Sequence, residues 1–587
     1  MFHAKPQSRK GNLLSITSLR SWRLSAKFLF VSLLFFTGCA NIVPPSGGPK
    51  DVAPPKVIRS NPENYAINFK EDNIRIYFNE FIRLKNIASQ VIISPPINKM
   101  PDFKVRSKSI IVEFKETLKD STTYTIYFGD AIVDITEENP ATNYQFVFAT
   151  GSIIDTLSVK GRVLNAFNLT PEKGIYVMLY ENLEDSVPMN EKPYYLSKTN
   201  AAGKFELNNL KKDDYKIFAL KDNNSNYMYD LPNEQIAFLD SLIEPKTFKK
   251  DPKLDTIIKD TLVKDTVNIN NVIKAGEYQL LLFEEIDSIQ RLNKTTLLRT
   301  GLVEIIFKYP TRNLELNPIY ETLDDQWYMM EYSNNKDTLN LWSTNKDRDT
   351  ITLQIKENDS ILDIINIQFI VKSRGRRSIS GFGKNPKLIL TPKSFGKHNL
   401  NKPVIINCYH PVKDFDFSNI IMIEGKDTLK PGSIEFKDEV KRNIRITHSW
   451  KEKTTYQFIF PDSCLFDLYG FSNDSLKLTI NTKEMKDYGT LKVNIQLENP
   501  GEHYIIQFLN AEEKILQEKI ITESGWIEYE YLLPGKYKLK AIHDQNKNHQ
   551  WDRGVYLEHK QPESVFYFKT ELQIRANWEI EEAWTLP

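Results

Sequence analysis

Ile74-Arg-Ile-Tyr-Phe-Asn79 decides the fold class. Ile74, Ile76 and Phe78 alternate with Arg75, Tyr77 and Asn79. Successive side chains of a strand point to opposite faces, so a period of two predicts a strand with one buried and one solvated face. Similar runs follow at 91–94, 110–114, 124–128 and 144–148, separated by turn-forming pieces such as Ser94-Pro-Pro and Lys119-Asp-Ser. Short strands at this spacing predict a sandwich of about 100 residues. Aromatic residues make up 12% of the 587, with Tyr and Phe prominent, and strands favour both. The expected fold class is therefore all-β, in tandem β-sandwich domains. At about 100–200 residues per domain, the length predicts three to six of them.

Further residues carry two resemblances. Ser60-Asn-Pro-Glu-Asn-Tyr-Ala66, the strand at 74–78 and Leu118-Lys-Asp-Ser-Thr-Thr-Tyr-Thr-Ile126 resemble the bacterial Ig-like domain named after surface-layer proteins. That resemblance implies a scaffold or interaction role and supplies no catalytic residue. From Leu157 the pattern changes to Val159-Lys-Gly-Arg-Val-Leu164, Thr199-Asn-Ala-Ala-Gly-Lys-Phe-Glu-Leu207 and Leu210-Lys-Lys-Asp-Asp-Tyr-Lys-Ile217. This is similar to the carboxypeptidase-regulatory-like, transthyretin-like β-sandwich, with Asp213 or Asp214 where that family has Gly. The module itself has no peptidase chemistry.

Both patterns occur twice, which marks an internal repeat. Val404-Ile-Ile-Asn-Cys-Tyr-His410 resembles the strand at 74–80, and Thr454-Thr-Tyr-Gln-Phe-Ile-Phe-Pro-Asp462 resembles Thr122-Thr-Tyr-Thr-Ile-Tyr-Phe-Gly-Asp130, with a further Asp at 467 and 134. Gly489-Thr-Leu-Lys-Val493 matches Leu157-Ser-Val-Lys-Gly161, and Leu533-Pro-Gly-Lys-Tyr-Lys-Leu-Lys-Ala541 matches Lys211-Lys-Asp-Asp-Tyr-Lys-Ile-Phe-Ala219. The expected layout is a lipoprotein signal peptide (1–38), a lipidated Cys with a Pro/Gly tether (39–56) and an Ig-like domain (57–151). A transthyretin-like sandwich with a charged loop follows (152–275), with repeated Asp-Thr pairs and an edge strand near 266–272. A β-rich unit of unassigned type (276–390), a second Ig-like domain (391–486) and a second transthyretin-like sandwich (487–587) complete it. In the unassigned unit, strands are expected at 276–283, 302–309, 327–332, 339–342, 351–355 and 365–371, and Ile286, Ile289 and Leu292 are spaced for a helical turn. Such an array is expected to be beads on a string, and so elongated.

The N-terminal stretch concerns location. Arg20, Arg23 and Lys27 precede the apolar run 28–36, and small residues follow. This is the pattern of an export signal, and about nine apolar residues are far short of the ~20 that span a bilayer. Phe36-Thr-Gly-Cys39 resembles the lipobox of bacterial lipoproteins, with Phe36 where Leu is usual. The resemblance implies cleavage before Cys39 and acylation of Cys39, hence an envelope protein anchored in membrane lipid, at the outer membrane. The neutral Ala40-Asn-Ile-Val43 favours its periplasmic face over the cell surface. Pro44–Pro55 cannot build helix or sheet interior and is expected to be an extended tether.

One motif has the look of a ligand site. Asp222-Asn-Asn-Ser-Asn-Tyr-Met-Tyr-Asp230 and Asp544-Gln-Asn-Lys-Asn-His-Gln-Trp-Asp552 share oxygen side chains at positions 1, 3, 5 and 9: Asp222, Asn224, Asn226, Asp230 and Asp544, Asn546, Asn548, Asp552. Calcium takes six to eight converging oxygens, and such a loop offers several. The EF-hand pattern wants Gly at position 6 and Glu at 12; Tyr227 and His549 stand at 6, Asn233 and Val555 at 12, and Glu234 is one place late. The competing reading closes the turn by Asx side chains bonding their own backbone, with Tyr229 and Trp551 packed beneath and no cofactor. Cys408 and Cys464 either bridge, in a compartment where disulfides form, or stay as buried free thiols.

Other chemistry is poorly represented. The charge balance of 77 basic and 76 acidic residues leaves a net +1, so no basic face recruits nucleic acid. His-Glu-x-x-His, Gly-x-Ser-x-Gly, phosphate-cradling and Cys-x-x-Cys motifs are missing. Ser394-Phe-Gly-Lys397 lacks the companion motifs of its class, and the basic loop 374–378 reads as a solvated linker. Trp327, Trp342, Trp450 and Trp526 either stack on sugars or pack. The expected function is a non-catalytic scaffold or binding and adhesion module for an envelope protein or polysaccharide. Two alternatives stand beside it: an enzyme or enzyme accessory acting on carbohydrate or peptide from the middle unit, and an accessory subunit of a secretion or nutrient-uptake complex.

Overall fold

The computed structural model describes residues 50–142, 144–247, 277–285, 289–323, 326–371, 386–393 and 396–587. The export signal, Cys39, the edge strand near 266–272, the loop 374–378 and Ser394 lie outside the described residues. The described residues form five β-sandwiches in tandem, called units 1 to 5 below, and none of their helices is long and apolar enough to cross a membrane.

Unit 1 opposes an antiparallel sheet, in the order Val57–Asn61, Asn73–Phe78, Ser109–Glu113, Asp102–Arg106, to a second of Ile92–Ser94, Thr123–Tyr127 and Gln145–Ala149. Ile74, Ile76 and Phe78 are buried against Tyr124, Ile126, Phe146 and Phe148. On the other face, Tyr77 lies under the Arg59 guanidinium at 4.0 Å. Unit 4 repeats the sheet order with Leu390–Pro392, Val404–Cys408, Asn443–Thr447 and Ser433–Phe436.

The repeated Thr-Thr-Tyr motif builds the same corner twice. Tyr124 Oη accepts the Lys119 N–H at 3.0 Å while Thr150 Oγ1 accepts that of Thr122 at 3.0 Å. Tyr456 accepts from Lys451 at 3.0 Å, and Thr482 from Thr454 at 2.9 Å. The repeated Asp does likewise. Asp134 takes the backbone N–H groups of Glu137, Glu138 and Asn139. Asp467 takes those of Tyr469 and Phe471 and also binds His410 Nδ1 at 2.7 Å.

Unit 2 pairs Leu157–Asn165 with Lys204–Leu210 on one side and Glu277–Glu284, in parallel, on the other. Tyr195–Lys198, Tyr176–Tyr180, Lys216–Lys221 and Gln235–Phe238 continue the same seven-stranded sheet, joined where Gln235–Phe238 pairs with Glu277–Glu284, and fold over to close the core. Unit 5 repeats the pairing of Leu157–Asn165 with Gly489–Leu497 between Gly525–Leu532 and the parallel Glu579–Leu586. Tyr215 Oη donates to the Lys211 carbonyl and Tyr537 Oη to that of Leu533, at 3.1 and 2.7 Å, so the corner survives whether the turn carries Asp or Gly.

The strand at 277–284 was expected to open the middle unit, and the structure corrects this. It pairs with Leu157–Asn165 and buries Leu280 and Leu282 in the unit 2 core. A parallel partner arrives only after a long crossover, so local pattern does not reveal it. Unit 3 instead begins with Leu292–Arg299, a strand where Leu292 was expected to close a helical turn. It stacks the sheet Leu292–Arg299, Leu302–Phe307, Thr338–Ser343, Tyr328–Tyr332 on Leu314–Pro318, Thr350–Glu357, Ser360–Gln368.

Neighbouring units are joined by specific contacts. Ser94 Oγ of unit 1 accepts the Leu196 N–H of unit 2 at 3.1 Å. Between units 3 and 4, Glu331 binds Arg442 Nη1 with both oxygens, at 2.9 and 2.7 Å, and accepts from Trp342 Nε1. The string-of-beads expectation fails at the last unit. Unit 5 folds back on unit 2, and Tyr556 is buried in a cluster with Tyr180, Phe218, Phe238 and Phe283.

Candidate functional site: paired Asp/Asn loops at the seam of the duplicated units

Each Asp/Asn loop leaves the strand after its unit's tyrosine corner, Lys216–Lys221 in unit 2 and Gly535–His543 in unit 5. The two have the same backbone. Positions 4 and 6 are left-handed in both: Ser225 and Tyr227 at φ 63, Lys547 and His549 at φ 62 and 63. Glycine would be the low-cost residue there, and the loops hold that conformation with side chains because position 1 anchors it. Asp222 Oδ2 accepts the Tyr227 N–H at 2.9 Å, and Asp544 Oδ2 that of His549 at 3.0 Å.

The remaining oxygens and amides form a ladder. Asn224 Oδ1 takes the Asn226 N–H and Asn226 Oδ1 that of Met228, while both Asn amides donate to Asp230 at 3.0 and 2.7 Å. In the second loop Asn546 Oδ1 takes the Asn548 N–H, Asn548 Oδ1 that of Gln550, and both amides donate to Asp552. All eight expected residues thus come together, four to each loop. Among the described residues no group of three or more His, Cys, Asp or Glu is placed to hold a metal ion.

Two residues that sequence reasoning left out of the site complete the loops. Glu234 is fully buried and accepts the N–H groups of Asn223 and Asp230, at 3.0 and 3.1 Å. Glu563 is 4% exposed and accepts those of Gln545 and Asp552, at 2.9 and 3.0 Å. Burial holds the Glu563 carboxyl above the usual carboxylate range against the pull of those N–H donors.

Position 8 of each loop points into the seam. Tyr229 Oη donates to Glu285 Oε2 at 2.8 Å, and Glu285 Oε1 accepts the N–H of Tyr556 from unit 5. Burial, and then the Glu285 carboxylate, push the Tyr229 phenol well above its ordinary pKa. Trp551 packs edge-on to Phe167 of unit 2 at 4.9 Å and donates Nε1 to the Glu563 carbonyl. Tyr556 meets Phe218 at 5.3 Å and Phe238 at 5.0 Å, and its hydroxyl donates to the Asp185 carbonyl at 2.6 Å. His559 and Gln561 extend the seam to Asp185 and Asp240. Chemically, then, the loops act as paired braces for an interface inside the chain.

The other singled-out residues are dispersed. Cys408 and Cys464 are buried free thiols within one core cluster, and burial pushes the Cys408 thiol up to about 12. Trp327 and Trp342 are buried, whereas Trp526 is exposed.

Such an array of Ig-type sandwiches defines a class of multidomain β-proteins. Residues 51–150 match the bacterial Ig-like domain family. No curated protein matches the chain in sequence. Among solved structures, the major pilin subunit of Bacillus cereus is 8% identical over 73% of this chain and 99% of its own, with a TM-score of 0.16. A protein of the mixed-linkage glucan utilisation locus of Bacteroides ovatus, solved with a heptasaccharide, is 10% identical over 71% of this chain and 94% of its own, with a TM-score of 0.20. Likenesses this low carry no statement about what this chain does.

Proposed function

We propose that this chain is a non-catalytic, lipid-anchored protein of the cell envelope, acting as a scaffold or binding module. The observation that carries the reading is the seam. The two Asp/Asn loops close on themselves, and the rings they carry meet the duplicate sandwich, Tyr229 through Glu285 to Tyr556 and Trp551 against Phe167, rather than line an open cleft. Phe36-Thr-Gly-Cys39 and the Pro/Gly stretch behind it support an acylated anchor on a tether; two or more acyl chains hold a protein stably at a bilayer where one does not. The periplasmic leaflet of the outer membrane is the proposed site, and an envelope protein or polysaccharide the proposed partner.

Fractionation and shaving test this reading. The wild type is expected to sediment with membranes and to resist protease added to intact cells, whereas Cys39→Ala is expected in the soluble fraction. A Cys39→Ala chain that stays with the membrane removes the anchor, and cleavage on intact cells moves the protein to the surface.

A further inference from the structure

Units 2 and 5 correspond residue by residue. Lys160 lies between Glu206 and Glu277 in the sheet of unit 2, and Lys492 lies between Glu528 and Glu581 in that of unit 5. On this register Tyr278 corresponds to Glu582. Tyr278 packs on the unit 2 core, and its hydroxyl bonds the backbone at Glu244. The Glu582 side chain is half-buried and makes no hydrogen bond or ion pair among the described residues. Where the ring would sit, unit 5 has a cleft of about 450 Å³ lined by Phe566, Phe568, Lys569, Glu582 and Trp584.

Both walls of that cleft are strand edges without a partner among the described residues. At the two ends of Glu579–Leu586, the carbonyls of Trp578, just before it, and Leu586 accept from Thr490 and Glu498. Even-numbered residues therefore face Gly489–Leu497, and the backbone N–H and C=O groups of Glu579, Glu581, Ala583 and Thr585 face away. Across the cleft, Ser564 and Phe568 bond the neighbouring strand, leaving Val565 and Tyr567 turned outward. An edge of unpaired N–H and C=O groups is a template for another extended chain.

We propose that this cleft docks an extended peptide with a basic side chain, whose backbone pairs with the edge of Glu579–Leu586 while its cation enters beside Trp584 to reach Glu582. Backbone pairing supplies affinity in such additions, and side-chain pockets supply specificity. The charge lining the cleft selects the cation. Glu579 and Glu581 lie against Lys492, and Glu582 is the carboxylate that lines the cleft, with Lys569 across from it. A guanidinium or ammonium gains a charge-assisted hydrogen bond to the Glu582 carboxylate. Lys569 on the opposite wall disfavours a second positive charge, so one basic residue between apolar ones fits. A sugar fits poorly, because Trp584 is 7% exposed and Phe568 packs edge-on to it at 5.7 Å, leaving no open ring face.

This deepens the reading of the chain as a protein that holds rather than cuts. The test is fluorescence anisotropy with the full-length chain in detergent and a labelled heptapeptide, Val-Thr-Val-Arg-Val-Thr-Val, against the same peptide with Glu for Arg and against cellohexaose. The Arg peptide is expected to bind and the other two are not. Glu582→Gln is expected to weaken binding about tenfold, the worth of one charge-assisted hydrogen bond. Ala583→Pro removes an outward N–H without touching the ladder to Gly489–Leu497, and Glu582→Tyr refills the cleft with the unit 2 residue; each is expected to abolish binding. Should Ala583→Pro lower the melting temperature, Glu582→Tyr alone decides. Equal binding of both peptides, indifference to Glu582→Tyr, or displacement by cellohexaose overturns the proposal. Cleavage of the bound peptide would instead overturn the non-catalytic reading, and lack of binding leaves that reading standing.

Discussion

Phe218 and Lys540 hold the same place in the two duplicated units, on the outward side of the strand that follows the tyrosine corner. Around Phe218 the seam is apolar and rich in rings, with Tyr556 and Tyr180 set edge-on to it at 5.3 and 5.6 Å. Lys540 is 2% exposed, and its Nζ lies 3.1 Å from the centre of the Phe167 ring. Burial pushes its pKa from 10.5 down to about 7 against the raising pull of Glu513. A desolvated cation–π contact is worth about 2 kcal/mol, whereas each unit of pKa lost costs about 1.4 kcal/mol, so burial wins. Duplication produced two similar faces; substitution then made one a fixed contact and the other a contact that a proton weakens.

The comparison breaks first at Tyr556. Tyr556→Ala is expected to cost about 3–5 kcal/mol, the usual loss for a large buried aromatic. Calorimetry should show the lower melting temperature, and small-angle scattering a larger radius as unit 5 leaves unit 2. An unchanged scattering curve would mean that the seam does not hold the chain folded back.

Lys540→Met sharpens the other half. Below pH 7 both folded and unfolded states carry the proton, and the full penalty is present. Between about 7 and 10.4 the unfolded state binds more protons, so stability rises with pH by at most about 1.4 kcal/mol per unit. Wild-type melting temperature is therefore expected to climb over that window relative to Lys540→Met, which should be the more stable at pH 7. Parallel curves would refute the buried charge. Next in size, Gly554→Ala places a Cβ 2.6 Å from Phe283 Cζ and 2.7 Å from the Lys560 carbonyl, and about 1–3 kcal/mol of overpacking is expected in a denaturant titration. Glu563→Gln presents an amide to one of two backbone N–H groups and should cost about 1–3 kcal/mol, with Glu234→Gln matching it if the braces are equivalent. Calcium is expected to do least, since the Asp and Asn oxygens already accept from the loops; calorimetric heat that disappears in Asp230→Asn and Asp552→Asn would assign a metal instead.

Much of the sandwich architecture was legible because burial on one face leaves a period of two, as at Ile74, Ile76 and Phe78. The loops were legible as loops, but not their glutamates. Glu234 lies 11 residues beyond its partner Asn223, and Glu563 lies 18 beyond Gln545. No fixed spacing ties a brace to its loop. The fold-back joins Tyr556 to Asp185 across 371 residues, beyond any local pattern. One signal did exist. Tyr176–Tyr180 is apolar at every position and buried on both faces, and a strand with two apolar faces requires a cover on each. Read that way, it announces a docked neighbour without saying which.

Because units 2 and 5 grip each other directly, the chain between them is a bypass. Tension applied across Val57 and Leu586 would pass from unit 1 through unit 2 and over the seam, leaving units 3 and 4 slack. They bear load only once Tyr556 is pulled from its socket, and their length is then released in a single step. The Tyr556 socket is in that sense a fuse, with two folded sandwiches as the reserve behind it.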